Sequence, residues 1–580
     1  MPVGADWVSG KGTHFRVWAP AKASVDVVVQ NAEGRHAPYP LRQERSVYFS
    51  GLVSGVAPGD LYSFRLDAGP DLYPDPASRF QPQGPHGPSQ VIDPNAFHWT
   101  DFGWKGCRLL GQVIYEMHIG TFTPEGTWRA AITQLPELAR LGVSVLEIMP
   151  VADFPGDFGW GYDGVDMFAP TRLYGHPDDF RAFVDAAHAL ELAVILDVVY
   201  NHLGPDGNYL KAFSPDYFTD RYETEWGEPI NFDGELSAPV REFFLSNARY
   251  WIEEFHIDGL RLDATQAIFD SSPDHIIKAI ARTVREAARG RDTIIIAENE
   301  PQRTVFARPV GSGGYGLDGL WNDDFHHSAV VAMTGHNEAY YTDHTGSPQE
   351  FISSAKYGYL FQGQWYSWQN QNRGTPSFGL PPSAFVNFIE NHDQIANSGR
   401  GMRVHQLTSP GRYRSMVALM LLGPGTPMLF QGQEFQSSSP FFYFAHHKPE
   451  LAELVSEGRK DFLRQFPSLA TPEMRDRLPE PADRWTFVRS KLDPREREVN
   501  GGACALHRDL IQIRREDLAF SVGEYGKIDG AVIAPEAFLL RFFGEEHGDR
   551  LLLVNFGRDL HLKSIPDPLT APPLGRSWRL

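Results

Sequence analysis

The stretch HIDGLRLDATQAI (residues 256–268) alternates apolar and charged residues at its centre. In a strand, Arg261 and Asp263 would share one face, and Leu260 and Leu262 would share the other. The sequence on both sides is apolar, which predicts a strand that is buried on both faces. A buried ion pair is weak evidence for stability, because desolvation can cancel the attraction between the charges. The alternative explanation is that the two charged residues take part in a chemical reaction.

This stretch belongs to a series of eight short apolar runs in the middle of the chain. They span residues 113–119, 143–149, 193–199, 257–263, 293–299, 317–323, 384–390 and 426–432. Helical patterns lie in several of the intervals, at 127–141, 177–191, 240–255, 275–289 and 410–422. The alternation of strands and helices predicts an α/β fold with a parallel sheet, and eight strands predict a (β/α)8 TIM barrel. A doubly wound open sheet is the alternative.

Two smaller regions flank the predicted barrel. Residues 1–95 contain short alternating runs separated by Gly, Pro and Asn, which predict an N-terminal β-sandwich. A Pro-rich connection, residues 73–94, leads out of it. Residues 517–580 contain two more strand-like runs and predict a small C-terminal β-domain. The barrel and its insertions then occupy residues 96–516.

Composition and charge narrow the class of protein. The formal net charge of −20 over 580 residues argues against a nucleic-acid partner, which would select for clustered Lys and Arg. Cys107 and Cys504 are the only cysteines, so neither a disulfide framework nor a Cys-based zinc site is expected. The chain has no signal-peptide pattern at its start and no apolar run of about 18 residues. We therefore expect a cytoplasmic protein with no membrane partner.

Unusual polar residues follow the predicted strands at the end where barrel enzymes carry their active sites. They are Asp197, Asn201 and His202 after the third strand, Arg261 and Asp263 on the fourth, Glu298 after the fifth, WNDDFHH (321–327) after the sixth, and His392 and Asp393 after the seventh. Because the carboxyl ends of barrel strands converge on one mouth, these residues predict a single shared site.

Paired carboxylates without a metal suit glycoside hydrolysis, in which one attacks the anomeric carbon and the other protonates the leaving oxygen. No HExxH or paired-cysteine spacing favours a catalytic metal, no GxSxG elbow favours a serine hydrolase, and no cofactor is expected. Arg261 is placed to favour the ionised form of Asp263, as a nucleophile requires. Glu298 follows the apolar run IIIA, a setting that would raise its pKa as an acid requires. Asp393 and the histidines would then bind sugar hydroxyls.

Four segments carry a family resemblance. DVVYNH, GLRLDATQ, IIAENE and IENHDQ occur in this order and resemble the four signature regions of the α-amylase superfamily, glycoside hydrolase family 13. The resemblance implies that Asp263 is the nucleophile, Glu298 the acid/base and Asp393 the transition-state stabiliser. It also implies a retaining reaction, with the two catalytic carboxyls about 5–5.5 Å apart.

The same resemblance implies a set of substrate contacts. Tyr162 in GWGYDGV would stack under the sugar at the cleavage point. The other implied contacts are Asp197, His202, Arg261 and His392. Gln266, Gln394 and Asn397 lie within or just after the same segments and are further predicted contacts.

A closer resemblance covers almost the whole chain. DDFHH (323–327), together with SSPFFYF (438–444) and HKPEL (447–451), is similar to the malto-oligosyltrehalose trehalohydrolase family. That family releases trehalose from malto-oligosyltrehalose, which implies functional pairing with a malto-oligosyltrehalose synthase; we expect a monomer. Within residues 321–345, Asp323 and His326 are predicted to contact the trehalose part, together with Trp321, Tyr340 and Tyr341. The alternatives are a glycogen branching or α-1,6 debranching enzyme, and a non-catalytic glycan-binding protein.

Overall fold

The structure, a computed structural model, describes residues 3–30, 36–45, 47–521, 526–544, 548–562 and 564–580. A closed barrel of eight parallel strands lies at its centre. The strands are β1 (Ile114–Met117), β2 (Val145–Ile148), β3 (Ala193–Val198), β4 (Gly259–Leu262), β5 (Ile294–Ala297), β6 (Gly319–Trp321), β7 (Phe385–Asn387) and β8 (Thr426–Phe430). β8 pairs with β1 and closes the sheet, so the predicted TIM barrel is confirmed and the doubly wound sheet is wrong.

Both faces of the barrel strands are covered, which explains their continuous apolar runs. Ile294 and Ile296 of β5 pack inside the barrel against residues such as Val145 and Met428. Ile295, between them, belongs to the layer that packs under the surrounding helices. The main helices are Trp128–Ile132, Leu135–Leu141, Pro177–Ala189, Ser237–Glu254, Ile276–Ala287, Asp323–Thr334, Pro348–Tyr357, His392–Asn397, Pro410–Leu422, Pro449–Leu463 and Gly501–Glu516.

One predicted helix differs from the structure. The pattern predicts one helix over 127–141, but the structure has two helices there, Trp128–Ile132 and Leu135–Leu141. Pro136 has no amide hydrogen to donate to the carbonyl of Ile132, and its ring would collide with that carbonyl in a continuous helix. Pro136 is therefore accommodated in the first turn of a new helix, where its amide hydrogen is not needed.

The N-terminal region is a β-sandwich, as predicted. One antiparallel sheet contains Gly4–Val8, Gly12–Trp18, Arg42–Gln43 and Tyr48–Val53. The other contains Val25–Gln30, His36–Pro40, Leu61–Leu66, Leu72–Tyr73 and Ser89–Gln90. Phe15 of the first sheet meets Tyr62 of the second edge to face, with ring centroids 4.9 Å apart. Contacts of this kind fill the space between the two sheets.

The sandwich is tied to the barrel through the helix Ser237–Glu254. Tyr48 Oη donates a hydrogen bond to Glu242 Oε2 at 2.8 Å. The buried guanidinium of Arg79 lies 5.2 Å from the ring centroid of Tyr250 and 3.8 Å from Glu254 Oε1. Arg79 comes from the Pro-rich connection, which is therefore packed between the two parts of the molecule.

The C-terminal region forms the predicted small β-domain, an antiparallel sheet of Ile528–Ala534, Ala537–Phe542 and Arg550–Asn555. It packs on the helix Pro348–Tyr357, where Phe351 stacks on Phe538 with ring centroids 5.9 Å apart. The domain boundaries after residues 95 and 516 remain predictions. Across the described ranges, every helix is too short or too polar to cross a membrane.

Candidate active site

The guanidinium of Arg261, at the carboxyl end of β4, binds the carboxyl groups of three residues. Nη1 donates to both oxygens of Asp197, at 2.9 and 2.8 Å, and to Asp263 Oδ1 at 2.8 Å. Nη2 donates to Glu298 Oε2 at 2.9 Å. The guanidinium is fully buried and lies over the ring of Trp321, 4.1 Å from its centroid. One cation thus orients the carboxylates that β3, β4 and β5 bring to the mouth.

Asp263, the predicted nucleophile, is held on both oxygens. Asn201 Nδ2 donates to Asp263 Oδ2 at 2.8 Å, opposite the bond from Arg261. The next residue, Ala264, has a φ of +37°, a left-handed conformation that is uncommon for a residue with a side chain. In this conformation its N–H donates to Glu298 Oε2 at 2.9 Å. The strained backbone directly after the predicted nucleophile therefore donates a hydrogen bond to the predicted acid.

Glu298, the predicted acid, is the carboxyl whose proton is held at neutral pH. Burial raises its pKa to about 8, and the charges of Asp263 and Asp393 act in the same direction. Arg261 and the N–H of Ala264 oppose this shift without cancelling it. The raised pKa agrees in direction with the expectation from the apolar run before Glu298, and it suits a proton donor.

Asp393 is the most open of the three predicted catalytic carboxylates, with 41% of its side chain exposed. Burial alone would raise its pKa, but His392, whose Nε2 lies 3.2 Å from Asp393 Oδ2, lowers it. Burial would lower the pKa of His392, whereas Asp393 and Glu116 raise it well above its usual value. The pair is therefore a carboxylate beside an imidazolium. Tyr162 stacks on the His392 ring at 5.1 Å and donates to Asp197 Oδ2 at 2.6 Å.

Two buried glutamates below the mouth were missed in the sequence. Glu116 of β1 hydrogen-bonds His392 through its ring Nδ1 and its backbone N–H. Glu147 lies opposite Glu116 in the parallel register of β2 and is 1% exposed. Neither oxygen of Glu147 has a hydrogen-bond partner among the described residues, and burial and Glu116 raise its pKa well above the usual range. A single glutamate inside each apolar run, EMHI and LEIM, was the available signal.

A second polar cluster adjoins Glu298 and contains the predicted contact Asp323. Arg373, which is buried, has its Nη2 3.8 Å from Asp323 Oδ2 and 3.8 Å from Glu300 Oε1. Burial raises the pKa of Asp323 to about 7, although Arg373 opposes the shift. Gln369 Nε2 donates to Glu300 Oε1 at 2.9 Å. Glu300, Gln369 and Arg373 were not singled out in the sequence, because they lie on irregular segments without a period.

Gln394 and Asn397 are joined to the two predicted tyrosines. Tyr340 Oη and Tyr341 Oη donate to Gln394 Oε1 at 2.9 and 3.1 Å. Asn397 Nδ2 donates to Tyr340 Oη at 3.3 Å. Both amides follow Asp393 on the short helix His392–Asn397, so this network supports the segment that carries the predicted stabiliser.

The other predicted contacts are bonded to or stacked on neighbouring groups. His326 is 1% exposed, shares a hydrogen bond with His327 at 3.1 Å between their Nδ1 atoms, and stacks on Phe388. Gln266 Oε1 accepts a bond from the backbone N–H of Glu300 at 3.4 Å. His202 bonds Asn201 through Nδ1 and stacks on Trp226, which is 45% exposed. Substrate contact by His326, Gln266 and His202 stays a prediction. Within the described ranges, no cluster of three or more His, Cys, Asp or Glu side chains could hold a metal ion.

An eight-stranded barrel that joins these carboxylates through one arginine defines a glycoside hydrolase of the α-amylase superfamily. The family model described as "Alpha amylase, catalytic domain" matches residues 91–232. "Carbohydrate-binding module 48 (Isoamylase N-terminal domain)" matches residues 2–96, and "Domain of unknown function (DUF3459)" matches residues 526–580.

Among curated proteins, the malto-oligosyltrehalose trehalohydrolase of Deinococcus radiodurans is 40% identical over 577 residues, covering 97% of this chain and 91% of the relative. The chain belongs to the malto-oligosyltrehalose trehalohydrolase family. A solved structure of a candidate α-amylase from Salmonella typhimurium superposes with a TM-score of 0.88 at 37% identity, covering 97% of this chain and 95% of the other. A 1,4-α-glucan branching enzyme from Rhodococcus jostii is more distant, at 29% identity over 73% of this chain and 59% of the enzyme.

Proposed function

We propose that this protein is a retaining glycoside hydrolase that cleaves the α-1,4 bond next to the terminal trehalose of malto-oligosyltrehalose. The products are trehalose and a shorter malto-oligosaccharide. One observation carries the chemistry: Arg261 holds Asp263 and Glu298 on a single guanidinium. Burial, which raises the pKa of Glu298 to about 8, supports its role as the acid. The choice of trehalose as the leaving group rests on membership of the family whose curated relative bears that name.

The first step uses Asp263 as nucleophile and Glu298 as acid. A carboxylate oxygen of Asp263 attacks the anomeric carbon while Glu298 gives its proton to the glycosidic oxygen. The bond to that oxygen breaks, trehalose leaves, and the remaining glucan chain is esterified to Asp263. Asp393, which is open to the mouth, accepts hydrogen bonds from the sugar hydroxyls as the ring gains oxocarbenium character.

The second step returns the enzyme to its starting state. Glu298, now ionised, takes a proton from water as the water oxygen attacks the anomeric carbon. The ester bond to Asp263 breaks, and the glucan leaves with its original anomeric configuration. A separation of about 5–5.5 Å between the two carboxyls is part of this proposal.

We assign the two flanks of the cleft to the two parts of the substrate. Tyr162, stacked on His392, supports the sugar whose bond is broken. Glu300 follows the acid Glu298 by two residues and shares Arg373 with Asp323, and we infer that these three residues contact the leaving trehalose. Arginine and carboxylates together offer both donors and acceptors to a polyhydroxylated disaccharide.

The pH dependence should reveal the acid. We expect kcat/KM to fall as the pH rises through about 8, roughly tenfold per unit above that value, because Glu298 must be protonated in the first step. The measurement is kcat/KM for maltopentaosyl trehalose between pH 5 and 10. With Glu298→Gln and an aryl maltoside whose leaving group needs no proton, the alkaline fall should vanish. A fall centred below pH 6 in the unmodified enzyme would contradict the assignment.

The function itself is tested with two substrates. Incubation with maltopentaosyl trehalose should release trehalose, and incubation with maltoheptaose should release none. Asp263→Asn serves as the inactive control. Formation of α-1,6 linkages from amylose without trehalose release would support a branching enzyme instead. Binding of glucan without any turnover would support a non-catalytic protein.

We also propose a setting for this activity. The substrate carries an α,α-1,1 linkage at its reducing end, so an enzyme that creates this linkage on a malto-oligosaccharide must supply it. Functional pairing with a malto-oligosyltrehalose synthase meets that need. A cytoplasmic location and a monomeric state complete the proposal, and the latter can be checked by light scattering.

A further inference from the structure

Arg459, on the helix Pro449–Leu463, is an arginine whose charge lacks a protein partner. Its guanidinium carbon lies 5.3 Å from the ring centroid of Tyr443 and 5.4 Å from that of Phe462. No hydrogen bond or ion pair joins Arg459 to any other residue in the described part of the chain. Burial lowers its pKa, although Tyr443, Asp393 and Tyr340 act in the opposite direction.

The surroundings of Arg459 connect it to the catalytic pocket. Tyr443 meets Trp160 edge to face, with ring centroids 5.1 Å apart, and Trp160 meets His392 in the same way at 5.0 Å. The charge of Arg459 is also among those that lower the pKa of Asp393, although the two side chains form no ion pair. Tyr443 and Trp160 therefore link Arg459 to the pair of His392 and Asp393.

The guanidinium of Arg459 is partly buried, its nitrogens have no partner among the described residues, and they are not enclosed, so a ligand can reach them. Removing a charge from water is costly unless hydrogen bonds replace the lost hydration. Arg181, which unlike Arg459 is fully buried, meets this need through Asp178 Oδ1 at 2.7 Å and the carbonyl of Glu254 at 3.2 Å. The rings of Tyr443 and Phe462 contact only the flat face of the Arg459 guanidinium. The N–H groups at its edge are therefore available to hydrogen-bond a ligand. Sugar hydroxyl oxygens are acceptors that fit these edges.

We propose that Arg459 is a specificity-determining residue that binds the glucan chain on the glycone side, at the glucose unit next to the one supported by Tyr162. The inference rests on the proposed function, because it concerns the same cleft. The glycone side follows from the wall Tyr443–Trp160–Tyr162, which leads from Arg459 to the sugar that is cleaved. In the proposed function, the leaving group lies on the side of the acid Glu298.

The test compares two substrates that differ in glycone length. With maltopentaosyl trehalose, Arg459→Gln should raise KM about tenfold or more, because a charged donor to the second glucose is lost, and kcat should change less. With glucosyl trehalose, which has no second glucose, KM should stay within about twofold of the unmodified enzyme. Arg459→Lys keeps the charge without the planar fork and should give an intermediate KM.

Arg464→Gln is the matched control, since Arg464 follows on the same helical segment but is half exposed and paired with Asp461. It should leave both KM values unchanged, and thermal unfolding should show that both variants are folded. Equal losses on the two substrates, or no loss on either, would overturn the inference. If the unmodified enzyme releases trehalose and Arg459→Gln has the same KM as that enzyme on both substrates, this inference alone fails. If the unmodified enzyme releases no trehalose, the proposed function fails first.

Discussion

Asp263→Asn should lower kcat for trehalose release by about 10⁴-fold or more while leaving the fold intact. An amide cannot form the glycosyl ester, but it has the size of the carboxylate it replaces. Arg261 keeps two of its partners, Asp197 and Glu298, so the buried cation stays paired. The measurement is single-turnover and steady-state release of trehalose from maltopentaosyl trehalose, with thermal unfolding as the check on the fold.

Asp274→Asn is the matched control for that change. Asp274 lies eleven residues further along the chain, is 48% exposed and pairs with Arg282. Its replacement should leave kcat unchanged. Retained turnover in Asp263→Asn would refute the assignment of the nucleophile, whereas loss of turnover in both variants would point to a general effect on folding.

Arg261→Met should lower both the rate of trehalose release and the free energy of unfolding. Methionine can keep the contact with the Trp321 ring, but Asp197, Asp263 and Glu298 would then share a buried site without the guanidinium that binds all three. Breaking a buried ion pair on one side typically costs about 3–5 kcal/mol in the free energy of unfolding. Urea unfolding at pH 7.5, with trehalose release measured in parallel, should give a loss of this size and an inactive enzyme.

The loss in Arg261→Met should shrink at low pH. Burial already raises the pKa of Asp197 to about 6 and that of Glu298 to about 8, and removal of Arg261 takes away a charge that lowers both. A carboxyl whose pKa is higher in the folded state than in the unfolded state binds more protons when the protein is folded. Its destabilising contribution to the free energy of unfolding therefore becomes smaller as the pH falls. The difference from the unmodified enzyme should be smaller at pH 5 than at pH 7.5. Equal stability of both proteins at pH 7.5 would contradict the role of Arg261.

The barrel could be predicted because its signal is local. A strand buried on both faces is apolar along its whole length, as Ile294, Ile295 and Ile296 illustrate, and each of the eight runs needed only its own residues to be recognised. The break near Pro136 was predictable in principle, since a proline restricts the residues around it. The apolar period on both sides of Pro136 concealed the break.

The site was predictable only in part. Asp263, Glu298 and Asp393 follow apolar runs, so each could be assigned to the end of a strand. Arg373 and Arg459 lie far along the chain, and only the tertiary structure brings Arg373 near Asp323 and Arg459 against Tyr443. The left-handed conformation of Ala264 had no signal either, because alanine gives no hint of a positive φ. Glu147 is a different case, since its position inside an apolar run was visible.

The helix Ser237–Glu254 has a consequence for how genes of this superfamily can be recombined. It receives Tyr48 and Arg79 from the N-terminal side, and it runs directly into the segment that forms β4. A chimaera joined within the Pro-rich connection would leave Glu242 without Tyr48, and a junction after Arg79 would also remove that guanidinium from beside Glu254. Modules from a relative would therefore have to be exchanged together with this helix. The segment that must be exchanged as a whole is therefore larger than the β-sandwich and extends to the start of β4.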